Sequence, residues 1–361
     1  MPSTVTTENN SVHRAAIQRL RERTHLPDTE APYHGASHPK LVWSHAELLC
    51  DRCDRAGIPV NRHALHDAVE LHDSLCHINP QLLGFSSSEN LASTLAFNFL
   101  RSSGYSEEAA AFVSNIVMAT HPDVRPITPE QIIIRAADLW NVGGPHSEFM
   151  SANLALFKEM QLARGAEVPF EKWLQGSYQF LSQFLWPFLE LTPEARDSAG
   201  RSVWHTQAMS NLSRTWRNTF RESARVVAEF SSSGTIASHG IEPHTLYIGL
   251  DPDEERRRAT LCDVAAVANE SKSVVFVIPG SKTGFSLPDE LCDTVIVHEP
   301  NLDVVCEAIR VTADGGTIVA KFSDTLDVDV VAIARSLHND VIDRRSEGKG
   351  CSLVILKRPF L

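Results

Sequence analysis

"FSSSGTIASHG", residues 230–240, is the point at which this chain changes character. The stretch is small and polar, as linkers are. Before it, apolar residues recur at helical spacing. After it come short β-branched runs: "TLYIGL", "SVVFVIPG", "DTVIVHE", "GTIVAKF" and "CSLVILKRP". The helical stretches "EERRRATLCDVAAVANE", "NLDVVCEAIRV" and "VDVVAIARSLHN" separate those runs. Alternation of strand and helix at this spacing predicts a mostly parallel α/β sheet. The expected organisation is therefore multidomain: an all-α domain over residues 1–229, a linker over 230–243, and a smaller α/β domain over 244–361.

Upstream, local punctuation predicts where helices start and stop. The segment Pro39–Arg55 ends at Gly57, a frequent helix terminator. Asn61 can cap "RHALHDAVELHDSL", Ser87 or Ser88 opens "ENLASTLAFNFLRSSG", and Ser106 opens "EEAAAFVSNIVMAT". Thr128, Pro129 and Gln131 form an N-terminal signature for "PEQIIIRAADLWNV". Aromatic-rich helices are expected between Ser147 and Phe188, and another between Ser202 and Glu229.

The totals exclude some function classes. The 361 residues carry a formal net charge of −12, with 43% hydrophobic and 22% charged residues. That balance argues against general nucleic-acid binding through a basic surface. No apolar run reaches the ~18 residues of a spanning helix. "MPSTVTTENNSVHR" lacks a hydrophobic signal core. A cytoplasmic protein without a membrane partner is expected, with homo-oligomerisation open. Seven scattered cysteines do not form a disulfide framework. The single CxxC, Cys50 and Cys53, falls inside a helical pattern and reads as plain helix positions.

Eight of the sixteen histidines lie between His25 and His77. The doublet His72–Asp73 follows the apolar "AVEL". A buried imidazole beside a buried carboxylate is costly without a partner, and a metal ion would satisfy both. His38 can reach the same point if its helix packs antiparallel to the next across "AGIPVN". Asp138 sits on the inner stripe of its helix, one turn after Ile134. Two imidazoles and two carboxylates form a mixed N/O set suited to Mn, Fe, Mg, Co, Ni or Zn. A hydrogen-bonded core pair is the bland alternative for His72–Asp73. The competing doublet His66–Asp67 lacks the preceding apolar run.

"YHGASHPKLV", "AVELHD" and "RAADLWNVG", in that order, resemble the HD-domain superfamily of metal-dependent phosphohydrolases, over roughly residues 30–145. The resemblance implies an HD-type helical domain with His38, His72, Asp73 and Asp138 as ligands of a divalent metal. It implies Asp73, Glu89 and His121 as catalytic groups around a metal-activated water. It also implies His34 and Arg135 as substrate contacts, and a nucleotide or other small phosphate ester as substrate. Cys76 stands where many members carry glutamate, three residues after the doublet. That departure leaves a catalytically silent, nucleotide-binding regulatory protein as the alternative.

In the C-terminal part, "VTADGGTIVAKF" resembles the segment of class I methyltransferase-like Rossmann domains in which a GG turn precedes a strand. "DTVIVHEP" would be the strand before it and "CSLVILKRP" the last. "LYIGLDPDEE" offers one glycine where GxGxG is expected, and "PGSKTG" lacks phosphate-loop spacing. A degenerate Rossmann-like module for binding, dimerisation or regulation is the expectation. A further reading makes this domain the transferase and the helical part its scaffold.

Overall fold

The computed structural model describes residues 7–165, 167–183, 195–230, 241–253, 255–257, 259–260, 272–278, 280–281, 284–298, 302–323, 340–348 and 351–358. The described residues form two compact units. One holds those up to Val168, the other those from Pro169 onward. No helix among them is long and apolar enough to cross a membrane.

The first unit is helical: α1 (Thr7–Thr24), α2 (His38–Arg55), α3 (Arg62–Leu71), α4 (Ser88–Ser102), α5 (Glu107–Met118), α6 (Pro129–Asp138) and α7 (His146–Arg164). The expected punctuation is present in atomic detail. The side chains of Asn61, Ser87 and Ser106 accept from the backbone N–H three residues on. Thr128 and Gln131 make a full capping box. In α2 the buried positions Val42, Ala46, Leu49, Cys50 and Cys53 repeat at the spacing of one helix face, and this helix packs on α3 and α6. Cys50 is part of that core, and burial pushes its thiol up to about 12, which makes it inert at neutral pH. Two helices are shorter than the sequence suggests. α3 stops at Leu71, so His72 and Asp73 occupy the turn after it. α6 stops at Asp138 and gives way to a 3₁₀ turn, Trp140–Gly143.

The second unit is α/β. It contains α8 (Phe170–Leu181), α9 (Val203–Phe220), α10 (Leu302–Val311), a short antiparallel ribbon of Gly280–Ser281 with Gly284–Phe285, and the seven strands of the main sheet. These are β1 (Arg225–Phe230), β2 (Thr245–Leu250), β3 (Val274–Ile278), β4 (Cys292–His298), β5 (Thr312–Ser323), β6 (Asp340–Gly348) and β7 (Cys351–Lys357). They make one sheet in the order β3-β2-β1-β4-β5-β7-β6. Strands β3, β2, β1, β4 and β5 run parallel, with Val226 level with Leu246 and Val227 with Thr294. β7 runs antiparallel to both β5 and β6. β2 and β3 are buried at every position, as a sheet covered on both faces requires. On α9, Trp216 is fully buried, stacks on Tyr178 of α8 and donates its indole N–H to His244 O at 2.7 Å.

Two expectations about the fold change. The α/β unit is not the smaller one and does not begin at residue 244. It reaches back to Pro169, taking in α8 and α9. The helix expected up to Glu229 ends at Phe220, where Arg221 takes a positive φ of 50°, and residues 225–230 form the central strand β1. The expected mostly parallel sheet is present, and "DVIDRRSEG", unassigned from sequence, is its edge strand β6. The GG turn expected before a strand lies within β5. Gly315 adopts a φ of 71°. A Cβ on Gly316 would sit 2.8 Å from Ala313 O. Of the expected helix over 254–270, only 255–257 and 259–260 are described, and these are helical; the expected helix over 328–339 and most of the 230–243 linker lie outside the described residues.

Candidate functional site

In the helical unit, three separate elements bring their polar residues to one point. His38 is the first residue of α2, His72 and Asp73 form the turn after α3, and Asp138 ends α6. His38 Nε2 lies 3.2 Å from Asp138 Oδ1 and 3.4 Å from Asp73 Oδ2. His72 Nε2 lies 3.1 Å from Asp73 Oδ2 and 3.7 Å from Asp138 Oδ1. The His72 ring is fixed from behind, because its Nδ1–H donates to Val69 O at 2.8 Å. In the neutral ring Nε2 is then an acceptor, aimed at two carboxylate oxygens. Neither His72 Nε2 nor Asp73 Oδ2 has a hydrogen-bond partner among the described residues. A positive charge between them resolves the conflict. Burial works against an imidazolium, yet Asp73 and Asp138 outweigh it and hold His72 well above its usual range. Both carboxyl groups, although buried, are held below the usual carboxylate range by the facing histidines.

As a donor set, His38, His72 and Asp138 offer atoms that all lie within 4.8 Å of one another, close enough for a small cation. His34 stands behind His38, with ring centres 5.6 Å apart. Its Nδ1 is 2.7 Å from Glu159 Oε1, while the backbone N–H groups of Tyr33 and His34 both donate to Oε2. His34 thus anchors the loop before α2 onto α7. His45 stacks on Trp140 at 5.1 Å.

The remaining expected site residues are placed differently. Arg135 does not offer its guanidinium to a substrate. It is 1% exposed, its Nε–H donates to Ala119 O at 2.6 Å, and its Nη2 donates to Val124 O at 2.7 Å and to His121 O. It ties down the turn after α5. His121 Nδ1 accepts from Asp123 N within that same turn. Glu89 lies in the first turn of α4. Neither Glu89 nor His121 has a hydrogen bond or ion pair to the His–Asp cluster among the described residues.

In the α/β unit, strand order reverses between β1 and β4, the two parallel neighbours at the centre of the sheet. Ligands of such sheets bind outside the carboxyl ends of the strands at this switch point. There Glu229, fully buried near the end of β1, meets His298 Nε2 at 2.5 Å from the end of β4 and accepts from Tyr247 O–H of β2. Directly after β2, Asp251 is 1% exposed. It accepts from Asp253 N at 2.7 Å and pairs with Arg256, while its own carbonyl accepts from Arg257. Close by, a Cβ on Gly280 would come within 3.0 Å of Leu250 Cβ, so the chain passes tightly over the strand ends. Sequence reasoning missed Glu229 because β1 was read as helix. The usable signal was Val226–Val227, a β-branched pair running straight into a serine-rich segment.

Neither a family model nor a curated protein matches this sequence. Solved structures do match. A SAM-dependent methyltransferase from Aquifex aeolicus is 14% identical, with 40% of this chain and 88% of that chain covered and a TM-score of 0.32. A SAM-dependent methyltransferase from Methanosarcina mazei is 12% identical, with 40% and 97% covered and a TM-score of 0.30. A variant of the 16S rRNA (adenine(1408)-N(1))-methyltransferase from Catenulisporales acidiphilia is 16% identical, with 41% and 91% covered and a TM-score of 0.32. These findings correct the sequence reading. The resemblance to HD-domain phosphohydrolases finds no support, and the three solved structures named above are methyltransferases. The phosphohydrolase activity, its silent nucleotide-binding alternative and the divalent metal cofactor are withdrawn. The His–Asp cluster is retained as an observed arrangement of side chains.

Proposed function

We propose that this chain is a methyltransferase whose α/β unit binds an adenosyl methyl donor at the carboxyl ends of β1 and β2. The observation that carries this reading is the sheet. It is an open parallel sheet with its order reversed between β1 and β4 and one reversed strand, β7, next to its edge. That order puts Glu229, Asp251 and His298 on the rim where this class of sheet takes its ligand. An acidic residue about 20 positions past the first strand, at the end of the second, is the group that receives ribose hydroxyls in such sheets, and Asp251 occupies that place. A carboxylate has about four acceptor sites. Among the described residues, the Asp253 amide and Arg256 are the only groups on this carboxylate, which leaves capacity for two hydroxyl donors, and in this respect the residues present fit the group. When bound, the donor would supply an electrophilic methyl group.

This chain's own residues would hold and orient the donor. Asp251 would fix the ribose. Arg256 and the Asp253 amide hold the Asp251 carboxylate in a single orientation. Glu229 is itself fixed by Tyr247 and His298 and would set the polarity of the floor. Calorimetric titration of the full chain with S-adenosylhomocysteine tests the reading. Binding below about 100 μM, weakened about tenfold or more by Asp251→Ala, supports it, since a hydrogen bond to a charged group contributes about 1.5–3 kcal/mol. Absence of heat on titrating the folded wild-type chain overturns it.

A further inference from the structure

Away from both sites, the helical unit contains a cavity of about 370 Å³ between α1, α2 and α3. That volume falls within the range of small-ligand sites, about 300–1,000 Å³. Its lining is graded from one end to the other. At the floor is Asp67, fully buried. Asp67 Oδ2 accepts from Tyr105 O–H at 2.8 Å. Asp67 Oδ1 has no hydrogen-bond partner among the described residues. His66 Nδ1 lies 4.0 Å from it, outside hydrogen-bonding distance. An acceptor buried without a donor is costly and persists where something else supplies the donor. The wall is aromatic, with the Trp43 and His66 rings in edge contact at 4.6 Å. Burial, assisted by the charge of Arg14, pushes His66 down to about 4, so this wall is uncharged at neutral pH. At the mouth, Arg14 and Lys40 are exposed. Neither forms an ion pair among the described residues, whereas the third cation, Arg21, is committed to Glu70 at 2.7 Å.

We propose that this cavity binds a small aromatic carboxylate bearing a ring N–H or O–H, with the ring against Trp43 and His66, the carboxylate at Arg14 and Lys40, and the ring donor on Asp67 Oδ1. Each requirement answers one observed feature. The unpartnered oxygen asks for a donor, the aromatic wall for a planar body, and the two cations for an anion. Neither the His–Asp cluster nor the α/β unit takes part.

The probe is indole-3-acetate, which has an anion and a ring N–H on opposite sides of a flat body. Two analogues each remove one requirement: 1-methylindole-3-acetate lacks the donor and tryptamine lacks the anion. Titration of the full chain, followed by NMR of the chain's own tryptophan indole N–H signals, Trp43 among them, should give binding below about 1 mM. N-methylation should weaken it about tenfold or more, because it leaves Asp67 Oδ1 unpaired. Tryptamine should bind no better than the methylated analogue. Arg14→Glu with Lys40→Glu, both at exposed positions, should weaken the parent about tenfold without changing the fold. Asp67→Leu should abolish the difference between the parent and its methylated analogue, a result that a merely structural role for Asp67 does not produce. No binding of the parent up to about 10 mM, or equal binding of all three compounds, overturns the proposal.

Discussion

Replacing Arg135 by methionine asks directly what that buried guanidinium is for. The side chain is 1% exposed and donates to three backbone carbonyls, those of Ala119, His121 and Val124. Methionine fills much of the same volume with no donor, leaving those carbonyls to find water or remain unpaired. A hydrogen bond from a charged donor contributes about 1.5–3 kcal/mol net, so three amount to about 5–9 kcal/mol. Against this stands the cost of keeping the charge inside. Burial lowers the Arg135 guanidinium from its ordinary value of 12.5 to about 10, which corresponds to about 3 kcal/mol. The difference is a loss of about 2–6 kcal/mol, which spans the range found when one partner of a buried charged pair is removed. A chain of two units does not unfold in one step, so native-state hydrogen exchange is the suitable assay. Amides of residues 119–124 should exchange about a hundredfold faster in Arg135→Met, and those of β1–β5 should not change. Unchanged exchange at 119–124, with stability within about 0.5 kcal/mol of wild type, would refute the argument and return Arg135 to the role of an available cation.

Smaller perturbations probe other parts of the account. Thr128→Ala removes one half of the capping box on α6 and should cost about 1 kcal/mol in urea unfolding. Combined with Gln131→Ala the two effects should fall short of additive, since the two side chains satisfy each other's backbone groups. His66 sets a pH dependence. Its folded value, lowered by burial to about 4, lies below the unfolded 6.5. The unfolded chain therefore binds more protons between these values. Stability should fall by about 2–3 kcal/mol as pH drops from 6.5 to 4, and this contribution should be flat above that window. His66→Phe, which keeps the ring contact with Trp43, should flatten the slope when urea midpoints at pH 7 and pH 5 are compared.

What the sequence disclosed follows the range of the interactions involved. Caps are local, so Asn61, Ser87, Ser106 and Thr128 announced their helices correctly. The convergence of His38, His72, Asp73 and Asp138 was legible because a charged doublet after an apolar run needs distant partners, and Asp138 lies on the inner stripe of its own helix. Arg135 was misread because its acceptors lie 11–16 residues earlier in the chain, and helix spacing says nothing about them. β1 was misread for a similar reason. Arg225–Phe230 follows α9 after only a short 3₁₀ turn, and what makes it a strand is pairing with β2 and β4 on either side. The edge strand β6 is rich in charge, as exposed sheet edges are, and so gave no apolar signal. The phosphohydrolase resemblance rested on three short motifs in the right order, a pattern that the comparisons with known proteins do not support.

Hydrogen–deuterium exchange on the full chain, with and without S-adenosylhomocysteine, locates the adenosyl ligand. Protection is expected only at the ends of β1 and β2 and in the residues just after β2, around Glu229 and Asp251, with the helical unit unchanged. No protection anywhere, or protection restricted to α1–α7, would contradict it.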